Sequence, residues 1–140
     1  MSAKVFIDTN ILVYAHDNKA GPKHVAAKSI LLGLRQEEAG VVSMQVLQEF
    51  YSTVTRKLAP PLPKHEARAI VEDFAHWCVE TTPNEIKQAF RIEDEAMIGF
   101  WDAMIVAAAI KAGATRILSE DLNPGQIIAG VQVENPFITS

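Results

Sequence analysis

One cysteine, Cys78, is all the thiol in the chain, so no internal disulfide can staple it, and that usage fits a reducing, cytoplasmic setting. No stretch approaches the ~18 uninterrupted apolar residues of a membrane span. The only apolar run near the amino terminus is cut by Asp8, too early for the core of a signal peptide. The four histidines, His16, His24, His65 and His76, are scattered without zinc-ligand spacing and read as surface or core residues. No glycine-rich phosphate loop is present, which sets aside the common nucleotide-binding motifs. Internal repeats and low-complexity tracts are also missing.

A basic excess is lacking too. The 13 Lys and Arg face 17 Asp and Glu, a net charge of −4, whereas nucleic-acid binders usually present basic surfaces. The total does not exclude RNA, because four acids engaged with cations would leave the rest in balance with the bases. What is present is ordinary globular material, 49% hydrophobic and 21% charged, with 140 residues able to bury a core as one domain spanning 1–140.

Along the chain, short apolar runs alternate with helical periodicities. Strands are expected at Lys4–Asp8, Val41–Ser43, Trp77–Thr81, Arg116–Ser119 and Val131–Val133. Between them, Asn10–His16 reads as a short helix, and Pro22 opens a longer one whose face is Val25, Ile30, Leu31 and Leu34. Val46, Leu47, Phe50, Tyr51, Val54 and Leu58 form one broad stripe on the next helix. Further helices follow over Pro63–His76 and from Pro83 to about Met97. Phe100–Gly113 has no polar side chain between Asp102 and Lys111, so that helix should be covered on nearly every side. Alternating strands and helices predict a three-layer α/β/α domain with a parallel sheet of about five strands.

Four acids take equivalent places in that scheme. Asp8 ends the first strand, Asp121 follows the strand at Arg116–Ser119, Asp102 opens the apolar helix, and Glu49 lies one turn into its own. All four fall towards the carboxyl edge of a parallel sheet, where ligands bind in open α/β folds. Each also has a plain explanation: a cap by Thr9, Asn10 or Asp102, turn chemistry at Asp121, a solvated helix position for Glu49. Together, carboxylates that converge without basic partners repel one another, and a divalent cation is the natural remedy. Oxygen-only ligands favour Mg²⁺, with Mn²⁺ as a substitute, over zinc.

The run Phe6-Ile7-Asp8-Thr9-Asn10-Ile11-Leu12 resembles the opening of PIN-domain ribonucleases. Phe100-Trp101-Asp102-Ala103-Met104-Ile105-Val106 is similar to that family's third acidic motif, Ile117-Leu118-Ser119-Glu120-Asp121-Leu122 to its last, and Val46-Leu47-Gln48-Glu49-Phe50 to its glutamate-bearing helix. Small members are commonly VapC-type toxins of toxin–antitoxin pairs. The resemblance implies a PIN-like fold, Mg²⁺-dependent endoribonuclease activity on RNA, homodimerisation and inhibition by a cognate antitoxin. It assigns the catalytic and metal-holding roles to Asp8, Glu49, Asp102 and Asp121.

On that reading Asp8 and Asp102 hold Mg²⁺ directly, while Glu49 and Asp121 complete the shell or hold a second ion; the metal activates a water and offsets charge on the scissile phosphate. Thr9, Asn10, Ser43 and Ser119 could hold water or phosphate, or could equally be caps. Arg56, Lys57, Lys64 and Arg68 could form a phosphate rim or a solvated helix surface. Tyr51, Trp77 and Trp101 read as core rather than base-stacking platforms. The rival enzyme is an aspartate-nucleophile phosphatase, disfavoured because Asn10 stands where such enzymes place a second aspartate. Two more readings stand beside it: an RNA-processing nuclease without an antitoxin, and a binding module of the same fold without turnover.

Overall fold

The computed structural model describes residues 3–138. Strand β1 (Lys4–Ile7) lies inside a sheet that also holds β2 (Gly40–Val41), β3 (Ala114–Leu118), β4 (Ile127–Ile128) and β5 (Val131–Glu134), in the order β2-β1-β3-β5-β4. β2, β1, β3 and β5 run parallel, and only β4 is antiparallel, to β5. Val5, Phe6 and Ile7 are all buried, as expected of a parallel strand covered on both faces. Among the described residues, six helices flank the sheet: α1 (Thr9–Ala15), α2 (Pro22–Glu37), α3 (Met44–Arg56), α4 (Lys64–Phe74), α5 (Pro83–Ala96) and α6 (Phe100–Lys111). The result is the three-layer α/β/α architecture that the alternating pattern predicts.

Local chemistry explains the boundaries. Pro22 occupies the first turn of α2, and the Ser43 hydroxyl accepts the Val46 N–H to cap α3. Thr82 and Glu85 close a reciprocal capping box at the start of α5. In α6, Ala103 and every residue from Ile105 to Ala109 are buried. Gly113, at φ +76°, turns the chain out of that helix and into β3.

Three expectations are corrected. Trp77–Thr81 is not a strand: Ala75–Trp77 forms a 3-10 turn, and Cys78 makes one isolated bridge to Val42. The Val42 N–H donates to the Trp77 carbonyl and the Val79 N–H to the Val42 carbonyl, but Ser43 then starts α3 and leaves no ladder to extend. The fifth strand is instead β4, joined to β5 through Ala129 and Gly130, both at positive φ. Two such residues in succession make the turn whose twist suits a hairpin. Finally, Val25 faces solvent at 67% exposure, and the core side of α2 is Ala27, Leu31 and Leu34.

Gly40 carries a steric demand of its own. A Cβ there would lie 2.3 Å from the Trp77 ring, which packs edge-on against Phe74 at 5.1 Å.

Candidate active site

The parallel register builds the site. Ile7 pairs with Leu118, so the residues that follow, Asp8 and Ser119, leave the sheet side by side at its carboxyl edge. The Asp8 N–H donates to the Leu118 carbonyl at 3.0 Å and fixes that alignment. Asp8, buried at 6% exposure, is itself the N-cap of α1: its Oδ1 accepts the Thr9 N–H at 2.7 Å. Its Oδ2 accepts the Ser119 hydroxyl at 2.6 Å. The cap therefore belongs to Asp8, not to Thr9 or Asn10, and the capping role coexists with the strand-end position.

Thr9 and Asn10 reach the other acids. Thr9 Oγ1 donates to Glu49 Oε1 at 3.2 Å, and Asn10 Nδ2 donates to Asp121 Oδ2 at 3.0 Å. Thr9, Asn10, Val13, Tyr14, Glu49, Thr53 and Asp121 line an open depression of about 260 Å³. Asp102, half-buried in the first turn of α6, lies outside that lining. Gly99 takes the cap position of α6 without a side-chain bond, so capping does not account for Asp102.

Electrostatics tie the acids together. Burial pushes the Asp8 carboxyl up to about 6; the Ser119 and Thr9 hydrogen bonds oppose that rise, and the charges of Asp121 and Glu49 add to it. Asp102 is raised as well, by burial first and by the charge of Asp121 second. Asp121 thus acts on both Asp8 and Asp102.

Glu120, next in the chain, is held elsewhere. Its carboxylate is paired with Lys23 and accepts the Tyr14 hydroxyl at 2.6 Å. Tyr14 and Lys23 give no sequence signal for this, because neither belongs to an acidic motif. Of the hydroxyls considered from sequence, Ser43 is a cap, whereas Thr9 and Ser119 serve the acids. Trp101 is not core: it is 66% exposed, beside Asp102. His16 and His24 face backbone carbonyls through Nδ1, while Arg56, Lys57, Lys64 and Arg68 lie on the surface.

Among the described residues, no three His, Cys, Asp or Glu side chains stand together as a ready cage for a metal. The donor chemistry nonetheless fits Mg²⁺, an oxygen-seeking ion that keeps several waters and is commonly held through one or two carboxylates. Asp8, Glu49, Asp102 and Asp121 supply oxygens only, and the carboxyls of Asp8 and Asp102 are raised by burial first and by neighbouring acids after it.

A family model of the PIN domain matches residues 5–127. The chain belongs to the PIN-domain family. No curated protein matches it. Among solved structures, this PIN domain is similar to a chain of a toxin–antitoxin complex from Klebsiella pneumoniae, at 19% identity and a TM-score of 0.69, over 97% of this chain and 98% of that one. It is also similar to a chain of DNA-bound VapBC from Salmonella typhimurium, at 20% identity and a TM-score of 0.65, over 96% and 99%. VapC20 of Mycobacterium tuberculosis, a sarcin–ricin-loop-cleaving toxin, gives 19% identity and a TM-score of 0.62, over 84% and 90%. These are likenesses of fold, and they extend over nearly the full length of the PIN domain.

Proposed function

We propose that this PIN domain is a Mg²⁺-dependent endoribonuclease and the toxin of a toxin–antitoxin pair. The observation that carries the reading is the Asp8 carboxyl, buried at the sheet edge and pushed up to about 6 with Asp121 and Glu49 adding to the rise. The cap on α1 and the Ser119 bond hold Asp8 there, and a divalent cation beside it would relieve the remaining repulsion. Asp8, Glu49, Asp102 and Asp121 would hold Mg²⁺ or Mn²⁺, which when bound supplies water activation and charge neutralisation at a phosphodiester. The chain's part is preorganisation. Ser119 and the Thr9 N–H fix Asp8 in one orientation, and Thr9 and Asn10 aim Glu49 and Asp121 at the same depression.

The structural likeness to chains from toxin–antitoxin complexes supports the partner assignment, a cognate antitoxin. An apolar cleft of about 660 Å³ between α2 and α4, with Leu31, Leu32, Leu62 and Phe74 in its wall, offers such a partner a surface. A homodimer is part of the same proposal: exposed Phe90 and Trp101 flank half-buried Phe100 and give a second copy an apolar face. The whole is read as one nuclease domain, 1–140, working in the cytoplasm without a membrane; no helix among the described residues is long and apolar enough to cross one.

The test is cleavage of a structured RNA by the purified chain with Mg²⁺, with EDTA, and with Asp8→Asn. Internal cuts that need the metal and vanish in the variant are expected. Cleavage by Asp8→Asn at the wild-type rate would overturn the assignment. Growth arrest on expression of the wild-type chain, absent with Asp8→Asn, tests the toxin role.

A further inference from the structure

Asn10 grips the corner after β3 with both ends of its amide. Its Nδ2 donates to Asp121 Oδ2 at 3.0 Å, and its Oδ1 accepts the Glu120 N–H at 3.2 Å. That N–H needs an acceptor, so the orientation of the amide is set, with nitrogen towards the carboxylate. The same corner is anchored from outside by Glu120, whose Oε1 accepts the Tyr14 hydroxyl at 2.6 Å and whose Oε2 is paired with Lys23. Lys23 in turn lies over the Tyr14 and Phe137 rings, 5.0 and 5.6 Å from their centroids. Tyr14 and Phe137 meet edge-on at 5.3 Å, so the anchor joins α1, the start of α2, the corner and the carboxyl-terminal segment.

Asp121 sits in an exposed turn and bears on both Asp8 and Asp102. Left alone, its carboxylate would swing away from them into water. A lysine or arginine could restrain it only by cancelling its charge. A neutral amide restrains it and leaves the charge free.

We infer that Asn10 and Glu120 are positioning residues for Asp121: Asn10 holds its carboxylate, and Glu120, which is no ligand, pins the corner through Tyr14 and Lys23. This rests on the metal-dependent reading above. It makes the two adjacent acids unequal, one facing the reaction and one holding the frame.

Calorimetric titration with Mn²⁺ of the full chain tests it, alongside thermal unfolding in EDTA. Asn10→Ala should weaken Mn²⁺ by about tenfold or more, the usual cost of losing a partner behind a metal ligand. Glu120→Ala should weaken it in the same direction. Tyr14→Phe, which removes the donor to Glu120 Oε1 and leaves the Glu120 carboxylate in place, should also weaken it. Loss in Glu120→Ala with none in Tyr14→Phe would make Glu120 a ligand and overturn the inference, as would unchanged affinity in Asn10→Ala. Should Asn10→Ala melt far below wild type, the comparison of Tyr14→Phe with Glu120→Ala decides alone. A wild-type chain that binds no Mn²⁺ would sink the metal-dependent reading and this inference with it, whereas wild-type binding matched by Asn10→Ala sinks the inference only.

Discussion

Ser119 and Asp8 stand 111 positions apart in the chain, yet the Ser119 hydroxyl donates to Asp8 Oδ2 at 2.6 Å while its own oxygen accepts the Asp121 N–H at 3.1 Å. One buried hydroxyl therefore serves two of the four acids. Ser119→Ala leaves the buried Asp8 oxygen and the Asp121 N–H each short of a partner, so a loss of about 1–3 kcal/mol in urea unfolding is expected. The Asp8 carboxyl should titrate still higher, because the Ser119 bond is the largest influence lowering it. Carbon-detected NMR titration of the side chain would show the rise, and an unchanged midpoint would contradict this account.

Asp8 also predicts how the metal-free chain responds to pH. Its carboxyl titrates near 6 in the folded protein against an ordinary 3.8, so folding favours the protonated form. That contribution is full below about pH 4 and is lost as pH climbs to about 6, some 3 kcal/mol for a shift of this size. In EDTA, the stability of wild type relative to Asp8→Asn should fall across that window and then level off. A flat difference between the two proteins from pH 4 to 7 would be inconsistent with a strained buried acid.

Glu49 is exposed on α3 and is restrained by the Thr9 hydroxyl. Thr9→Val keeps the shape of the side chain but removes the donor. Mn²⁺ affinity or metal-dependent cleavage should fall about tenfold, as when an outer partner of a ligand is removed. Stability should move by less than about 0.5 kcal/mol, the usual range for a surface change. A large stability loss with intact activity would reverse the roles.

Away from the site, Gly40→Ala places a methyl 2.3 Å from a ring already wedged against Phe74. Overpacking of this kind costs about 1–3 kcal/mol, read as a lowered melting temperature. Gly40→Ala combined with Trp77→Leu should recover part of the loss relative to Trp77→Leu alone. Equal melting of Gly40→Ala and wild type would show that the ring can move aside.

Much of this was legible in the residues. Asp8 at the end of a three-residue apolar run, and Asp102 opening a helix without polar side chains, mark the sheet edge by hydrophobic pattern alone. β4 was hidden because its turn is Ala129-Gly130, and alanine at φ +50° carries none of the asparagine signal of such turns. Trp77–Thr81 misled for the opposite reason: its composition suits a strand, but Val42 has only one rung to offer before Ser43 caps α3. Tyr14 and Lys23 were invisible because an ordinary tyrosine and lysine acquire their meaning only from Glu120, about a hundred residues away. Pattern reads what is local; pairing across the fold needs coordinates.

The outermost strands, β2 and β4, are two residues long each. A margin that brief gives a stray extended peptide almost no ladder on which to grow. Backbone pairing between copies is thereby left with little to build on, and any contact between them falls to side chains.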